Sequence, residues 1–176
     1  MAGIHRATQL LISNNELLGL PENVTSIGEY TFANCSLTSI ELPESVTSIG
    51  EGAFGSCYSL TSIEIPESVT SIGEGAFYGC GLTSIEIPES VTNIGDYAFS
   101  YCTSLTNVKI PESVTSIGDQ AFCGCRSLTN IEIPESVTSI GEYAFSDCNN
   151  LTTIYGTAGS YAETFASENG YTFIAQ

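Results

Sequence analysis

Apolar and polar positions recur along this chain with a period of 22 or 23 residues. Each unit reads close to I-P-E-S-V-T-S-I-G-E-x-A-F-x-x-C-x-S-L-T-S-I-E. Six prolines mark the successive units: Pro21, Pro43, Pro66, Pro88, Pro111 and Pro134. A fixed period of this length predicts a solenoid, in which each turn buries its apolar positions against the neighbouring turns.

The unit from Pro88 to Ile110 predicts the elements of one turn. Val91–Ile94 reads as a short strand, and Asp96–Phe99 as the start of a short helix with an acid near its positive end. Leu105, Val108 and Ile110 have the spacing of a leucine-rich strand. The predicted fold class is an α/β solenoid, a leucine-rich-repeat stack of six 22–23-residue turns with parallel β ladders and short helices.

The ends of the chain depart from the repeat and predict caps. Residues 1–19 are expected to form an N-terminal cap and half-repeat. The degraded half-repeat aligns over residues 15–20, with Leu18 and Leu20 in strand positions. Residues 20–155 hold the six repeats, and residues 156–176 form a C-terminal cap of the same domain. Ser160–Glu163 resembles a capping box that opens a helix, Gly170 fits its end, and Tyr171–Ile174 reads as a closing strand. Apolar residues at helical spacing over positions 4–11 predict a short helix or strand.

The repeat also carries a resemblance to a known family. The phrase I-P-x-x-V-T-x-I-G-x-x-A-F-x-x-C-x-x-L-x-x-I, over about residues 15–155, resembles the BspA-type leucine-rich repeats of bacterial and protist surface proteins. The resemblance implies an adhesin-like scaffold that binds host matrix proteins or other cells, and an extracellular or cell-surface location. No signal peptide or anchor is recognisable in the chain.

The charge balance limits the classes of partner. Twenty acids against three Lys and Arg residues give a formal net charge of −17. Phosphate binding needs clustered basic side chains, so nucleic acid is not an expected partner. No apolar run approaches the roughly 18–20 residues that cross a bilayer, so no membrane insertion is expected. The expected partner is a protein of unknown identity.

The first candidate binding surface, here called the strand face, lies on the leucine-rich strands. Concave strand surfaces are the usual binding faces of such solenoids, and the choice of this surface rests on the resemblance. Lys109 interrupts a file of acids there and is expected to relieve repulsion between like charges. The strand face comprises Ser39, Glu41, Ser62, Glu64, Ser84, Glu86, Asn107, Lys109, Asn130 and Glu132.

The second candidate surface, the tyrosine flank, lies around the Phe and Cys positions, where the repeats vary most. Tyrosine is enriched in binding surfaces because it offers contact area at low entropic cost. The alternative interpretation is that these are ordinary half-exposed residues covering the short helices. The tyrosine flank comprises Tyr30, Tyr58, Tyr78, Tyr97, Tyr101 and Tyr143.

Six of the seven cysteines occupy one repeat position, which predicts a row of free thiols filling the core rather than disulfides or a zinc site. The row is Cys35, Cys57, Cys80, Cys102, Cys125 and Cys148. Cys123 lies outside it and is predicted to be exposed. The lone histidine, His5, has no catalytic partner nearby in sequence, and no catalytic, cofactor-binding or metal-binding residues are predicted.

The sequence therefore favours a non-catalytic protein-binding scaffold that resembles surface adhesins. The alternative is a structural array that self-associates through the solenoid ends into a homo-oligomer. Two weaker alternatives use the repeated polar rows. The acid files could bind calcium, which prefers several carboxylates, and a row of threonines could order ice: Thr25, Thr47, Thr70, Thr92, Thr115 and Thr138.

Overall fold

The computed structural model describes residues 12–13, 16–17 and 20–176, and it shows a solenoid whose turns follow the sequence repeat. Elements are numbered in chain order. The first two strands, β1 (Ile12–Ser13) and β2 (Glu16–Leu17), form an antiparallel pair before the repeats. Leu20 is buried, in line with its predicted strand position, although it lies outside a strand. Leu18 and the segment over positions 4–11 lie outside the described residues.

One side of the solenoid is a six-stranded parallel sheet with one strand from each turn. Each strand is two residues long and turns an isoleucine inward and a polar residue outward, because successive side chains point to opposite faces. The register keeps the isoleucines of adjacent turns opposite one another. The strands are β3 (Ser26–Ile27), β4 (Ser48–Ile49), β5 (Ser71–Ile72), β7 (Asn93–Ile94), β9 (Ser116–Ile117) and β11 (Ser139–Ile140).

The leucine-rich side forms parallel ladders only in the later turns. Residues 39–41 and 62–64 form no strand, and single bonds such as Thr61 N–H to Thr38 O (3.2 Å) join those turns. The ladders that do form place an acid opposite a residue of another kind, Glu86 opposite Lys109 and Glu132 opposite Tyr155, which avoids like-charge pairs. The strands are β6 (Ser84–Glu86), β8 (Asn107–Lys109), β10 (Asn130–Glu132) and β12 (Thr153–Gly156).

The segment between the two sides is a ladder of turns, and the predicted short helices, including the one over Asp96–Phe99, are wrong. Two positions in every repeat have a left-handed backbone, which interrupts any right-handed helix. Alternate N–H groups bond within the turn, as Ala98 N–H does to Gly95 O (3.3 Å), or to the next turn, as Phe99 N–H does to Ala121 O (2.8 Å). The left-handed residues are Tyr30, Asn34, Gly52, Ser56, Gly75, Gly79, Tyr97, Tyr101, Gln120, Gly124, Tyr143 and Asp147.

Six phenylalanines, one from each repeat, form a continuous stack at the centre of the core. Adjacent ring centroids lie 5.3–5.5 Å apart, and the ring planes are within 10° of parallel. The turns approach closely at the corner glycine: a Cβ at Gly73 would lie 2.7 Å from the backbone nitrogen of Glu51. Only glycine therefore fits that corner. The stack is Phe32, Phe54, Phe77, Phe99, Phe122 and Phe145.

The C-terminal cap contains helix α1 (Tyr161–Asn169) and strand β13 (Thr172–Ala175), which pairs parallel with β12. The left-handed Gly170 ends the helix as predicted. The capping box is only half present, because the Ser160 hydroxyl makes no cap bond and Glu163 instead accepts the Gly159 N–H at 2.7 Å. Among the residues that the structure describes, no helix is both long and apolar enough to cross a membrane.

Candidate binding surfaces

The strand face presents a row of polar side chains above a rigid apolar layer. All ten residues assigned to it from the sequence are exposed, and the alternating Ile63, Ile85, Val108 and Ile131 beneath them are buried. Lys109 Nζ donates to the carboxylate of Glu86, which raises the pKa of Lys109. Both side chains are about two-thirds exposed (66% and 68%), so this ion pair contributes little stability. The other acids of the row make no side-chain bond to a described residue.

The structure divides the six tyrosines of the flank into separate groups. Tyr30, Tyr78 and Tyr97 line one cleft. Tyr101 lies against Tyr78, with ring centroids 5.5 Å apart. The other two are apart from this group: Tyr58 is 74% exposed beside Gly79, and Tyr143 lies at the C-terminal end near the cap.

The cleft exists because two successive turns lack a side chain at the first left-handed position. That position holds Tyr30, then Gly52, Gly75 and Tyr97 in successive turns. The Tyr30 ring leans over Gly52, so that a Cβ at Gly52 would collide with the ring. Over Gly75 the space is open, since a Cβ there would meet only Tyr78 Cβ at 3.7 Å. The resulting cleft has a volume of about 400 Å³.

Two acidic residues, Glu51 and Glu74, line this cleft. Glu51 accepts a hydrogen bond from the Tyr30 hydroxyl, and this bond is the main cause of the raised pKa of Tyr30. The charge of Glu74 also contributes to that raised pKa, and its carboxylate has no hydrogen-bond or ion-pair partner among the described residues. At the far end, the Tyr97 hydroxyl accepts a hydrogen bond from Gln120 Nε2 at 3.0 Å. The cleft thus combines exposed aromatic rings with negative charge.

The packing of tyrosine on glycine between turns was missed by the sequence analysis. A Cβ at Gly124 would lie 2.9 Å from the Tyr101 ring, so this glycine also makes room for a tyrosine of the preceding turn. The signal was present, because the two variable positions hold Gly, Asn or Asp in several repeats, and these residues favour a left-handed backbone. Part of the variation around Phe and Cys therefore reflects backbone geometry.

One file of acids follows the corner glycine of each repeat, and some of its carboxylates accept backbone N–H groups. The file is Glu29, Glu51, Glu74, Asp96, Asp119 and Glu142. Asp96 Oδ1 accepts the N–H of Asp119 at 2.8 Å, and Asp119 Oδ1 accepts the N–H of Glu142 at 2.8 Å. Over residues 20–176 and the two short strands before them, no group of three or more His, Cys, Asp or Glu residues is arranged to hold a metal ion. The threonine row is similarly engaged: the Thr47 hydroxyl donates to Thr25 O at 3.1 Å, and later threonines repeat this bond.

The cysteine row lies in the core as free thiols, as predicted, with Cys35 half-buried at its N-terminal end. Each thiol after Cys35 donates to the carbonyl of a phenylalanine from the preceding turn; the Cys102 Sγ to Phe77 O distance is 3.1 Å. Burial raises the pKa of Cys102 to about 12. The predicted exposure of Cys123 is wrong, because its side chain is only 4% exposed. The residue after the repeat phenylalanine is buried in this turn, as it is in the preceding turn, where Ser100 is fully buried.

These features define the class of protein: a leucine-rich-repeat solenoid with two exposed polar surfaces and a largely apolar interior. A family model described as "BspA type Leucine rich repeat region" matches six copies over residues 12–81 and 70–162. The chain belongs to the BspA-type leucine-rich repeat family, which confirms the resemblance and the solenoid fold.

Solved structures of bacterial proteins are similar to this chain. A leucine-rich repeat protein from Bacteroides ovatus is 40% identical over 82% of the chain, with a TM-score of 0.73. A leucine rich cell surface protein from Faecalibacterium prausnitzii is 38% identical over 76% of the chain, with a TM-score of 0.57. The chain spans 40% and 43% of the lengths of these two proteins. The pneumococcal vaccine antigen PcpA shares the fold at 23% identity, covering 77% of the chain and 36% of its own length, with a TM-score of 0.64. No curated protein matches the chain.

Proposed function

We propose that this chain is a non-catalytic protein-binding module of a secreted or cell-surface protein, and that it holds a host or matrix protein on its strand face. The observation that carries the proposal is the row of exposed, largely unpaired polar side chains repeated in successive turns above buried isoleucines. Hydrogen bonds between turns hold the backbone beneath this row, so a partner loses little of its binding free energy to ordering that backbone. The similarity to a bacterial cell surface protein supports the location.

The test is charge reversal along the strand face. The triple variant Glu64→Lys, Glu86→Lys and Glu132→Lys keeps every buried side chain, and we expect it to lose at least tenfold in affinity for a matrix protein that the unchanged chain binds. Biolayer interferometry against a panel of immobilised matrix proteins measures the affinity. The matched control makes the same charge change elsewhere, with Glu29→Lys, Glu142→Lys and Glu168→Lys. Equal losses from both triple variants would show that net charge alone governs binding.

A second candidate function is self-association through the solenoid ends. In the last repeat the N–H groups of Tyr143, Phe145 and Asp147 continue the row that bonds to a following turn, and they have no acceptor among the described residues. An end-to-end contact of this kind is heterologous, so it would build an open filament rather than a closed dimer. Sedimentation at increasing protein concentration tests it; a strict monomer at about 100 μM would remove this function.

A further inference from the structure

We infer that the cleft between Tyr30 and Tyr97 is a binding site for an arginine side chain of a basic peptide segment. This cleft belongs to the tyrosine flank, and the inference does not depend on the strand face. Two features of the described residues carry it: the shape of the cleft and its charge.

The shape of the cleft suits a flat, elongated group. It is lined by Tyr30, Tyr78 and Tyr97; the Tyr30 ring covers Gly52, and Gly75 leaves the space beside it open. Two turn spacings of about 4.8 Å each separate the turn of Gly52 from the turn of Tyr97. This gap accepts a planar group that stacks on one tyrosine ring, and it also accepts the aliphatic chain that carries the planar group. The volume of about 400 Å³ is sufficient for the planar group and its chain.

The charge of the cleft selects a cation over a neutral ring. Glu51 and Glu74 both line the cleft, and the Glu74 carboxylate has no partner among the described residues. A guanidinium group stacks on aromatic faces and bonds carboxylates through two parallel N–H groups, whereas an ammonium is a strongly hydrated point charge. Arginine is therefore the side chain that uses both the rings and the carboxylates of this cleft.

The backbone of the two end tyrosines indicates that their rings are retained at a cost to folding. Tyr30 (φ 51°) and Tyr97 (φ 56°) are left-handed, although glycine fills the same position in the two turns between them. A left-handed backbone is unfavourable for a residue with a side chain, and Tyr30 remains 52% exposed, so burial does not offset this cost. The same conformation occurs at Gln120 and Tyr143 outside the cleft, so the backbone is compatible with a binding site but does not by itself indicate one.

Isothermal titration with an acetylated, amidated tetra-arginine peptide tests the inference, with the tetra-citrulline peptide as its uncharged isostere. We expect the arginine peptide to bind with one-to-one stoichiometry at about 50 mM NaCl and the citrulline peptide to bind at least tenfold more weakly. Tyr97→Gly and Glu74→Gln each weaken binding about tenfold. Gly75→Gln fills the cleft with the side chain that the chain already carries in the same backbone conformation at Gln120, and it abolishes binding.

Matched controls separate the cleft from the general acidity of the surface. Tyr143→Gly and Glu142→Gln make the same chemical changes at the same repeat positions outside the cleft, and both leave the affinity unchanged. Circular dichroism confirms that each variant is folded. The inference is overturned if Tyr97→Gly and Tyr143→Gly have equal effects, which would indicate non-specific attraction to an acidic protein. Equal binding of the citrulline peptide would also overturn it and would indicate a site for neutral flat ligands.

Discussion

At the scale of single residues, the left-handed positions explain both the regularity and the individuality of the repeat. Twelve residues, two in each of six repeats, have positive φ, and only four of them are glycine. Gly, Asn and Asp are suited to this backbone, whereas Tyr is not. The sequence identified these positions as variable and the structure supplies the reason, because their side chains are free to differ while their backbone is fixed.

The strain at these positions predicts a stabilising substitution. Tyr143 has a left-handed backbone (φ 57°) and is 66% exposed. Tyr143→Gly therefore removes the backbone strain and loses few side-chain contacts. We expect the free energy of unfolding to rise by up to about 1 kcal/mol, after allowing for the greater flexibility of glycine in the unfolded chain. Urea denaturation measures the change. Tyr58→Gly is the control, since the exposed Tyr58 is not left-handed, and it should destabilise slightly; a similar loss from both variants would contradict the prediction.

At the scale of the element, each repeat turn is stable only because its neighbours cover it. The phenylalanine stack, the cysteine row and the isoleucine sheet all run across turns, whereas the bonds that close within one turn are mainly backbone hydrogen bonds. The serine that follows five of the six proline-glutamate pairs adds to this; the Ser113 hydroxyl, for example, donates to Val91 O of the preceding turn at 2.7 Å. Stability in such an array is a sum of interfaces between neighbours.

The position of a phenylalanine in the stack therefore decides the cost of removing it. Phe99 is fully buried between Phe77 and Phe122, and Phe99→Ala should reduce the free energy of unfolding by about 3–5 kcal/mol. Urea denaturation measures this loss, and Phe99→Leu is the milder control. Phe145 stacks on one repeat phenylalanine and on the tilted Phe165 of the cap, so Phe145→Ala should cost less. If Phe99→Ala and Phe145→Ala reduced the free energy of unfolding equally, the stability of the stack would not come from interfaces between neighbouring turns.

At the scale of the whole molecule, the solenoid combines a strongly acidic exterior with a row of neutral thiols inside it. Burial raises the pKa of Cys57 to about 11 and that of Cys102 to about 12, above the ordinary value of 9.0. The thiols of Cys57 and Cys102 thus stay protonated at neutral pH, and their raised pKa values reflect the apolar core rather than a reactive site.

These pKa values predict a loss of stability in alkali. Between pH 9 and about 11 the unfolded chain releases thiol protons that the folded chain retains, so the free energy of unfolding falls as pH rises. Each buried thiol contributes a slope of up to about 1.4 kcal/mol per pH unit in this window. Urea denaturation at pH 7 to 11 measures the slope. The variant Cys57→Ala, Cys102→Ala is the comparison, and a slope as steep as in the unchanged chain would contradict the prediction.

How much the sequence predicted depends on whether a feature repeats. The apolar positions of each unit, from Val91 to Ile110 for example, determined the solenoid, the inward isoleucines and the buried cysteines, because burial follows from a fixed period. The prediction of a helix over Asp96–Phe99 was wrong. The acidic and apolar residues there are compatible with both a helix and a turn, and only the left-handed backbone of Tyr97 excludes the helix. The predicted exposure of Cys123 was wrong because the stacking of adjacent turns decides that this side chain points inward.

The sequence by itself determined the family, the six turns and the membership of the core, since a period of 22–23 residues with constant apolar positions leaves one way to bury them together. Only the tertiary structure decided which tyrosines share a cleft. Tyr30 and Tyr97 lie 67 positions apart in the sequence, and the opening between them depends on glycines in two intervening turns and on the lean of one ring over Gly52. Contacts between side chains of successive turns are set by backbone direction and stacking, which the repeat pattern does not encode.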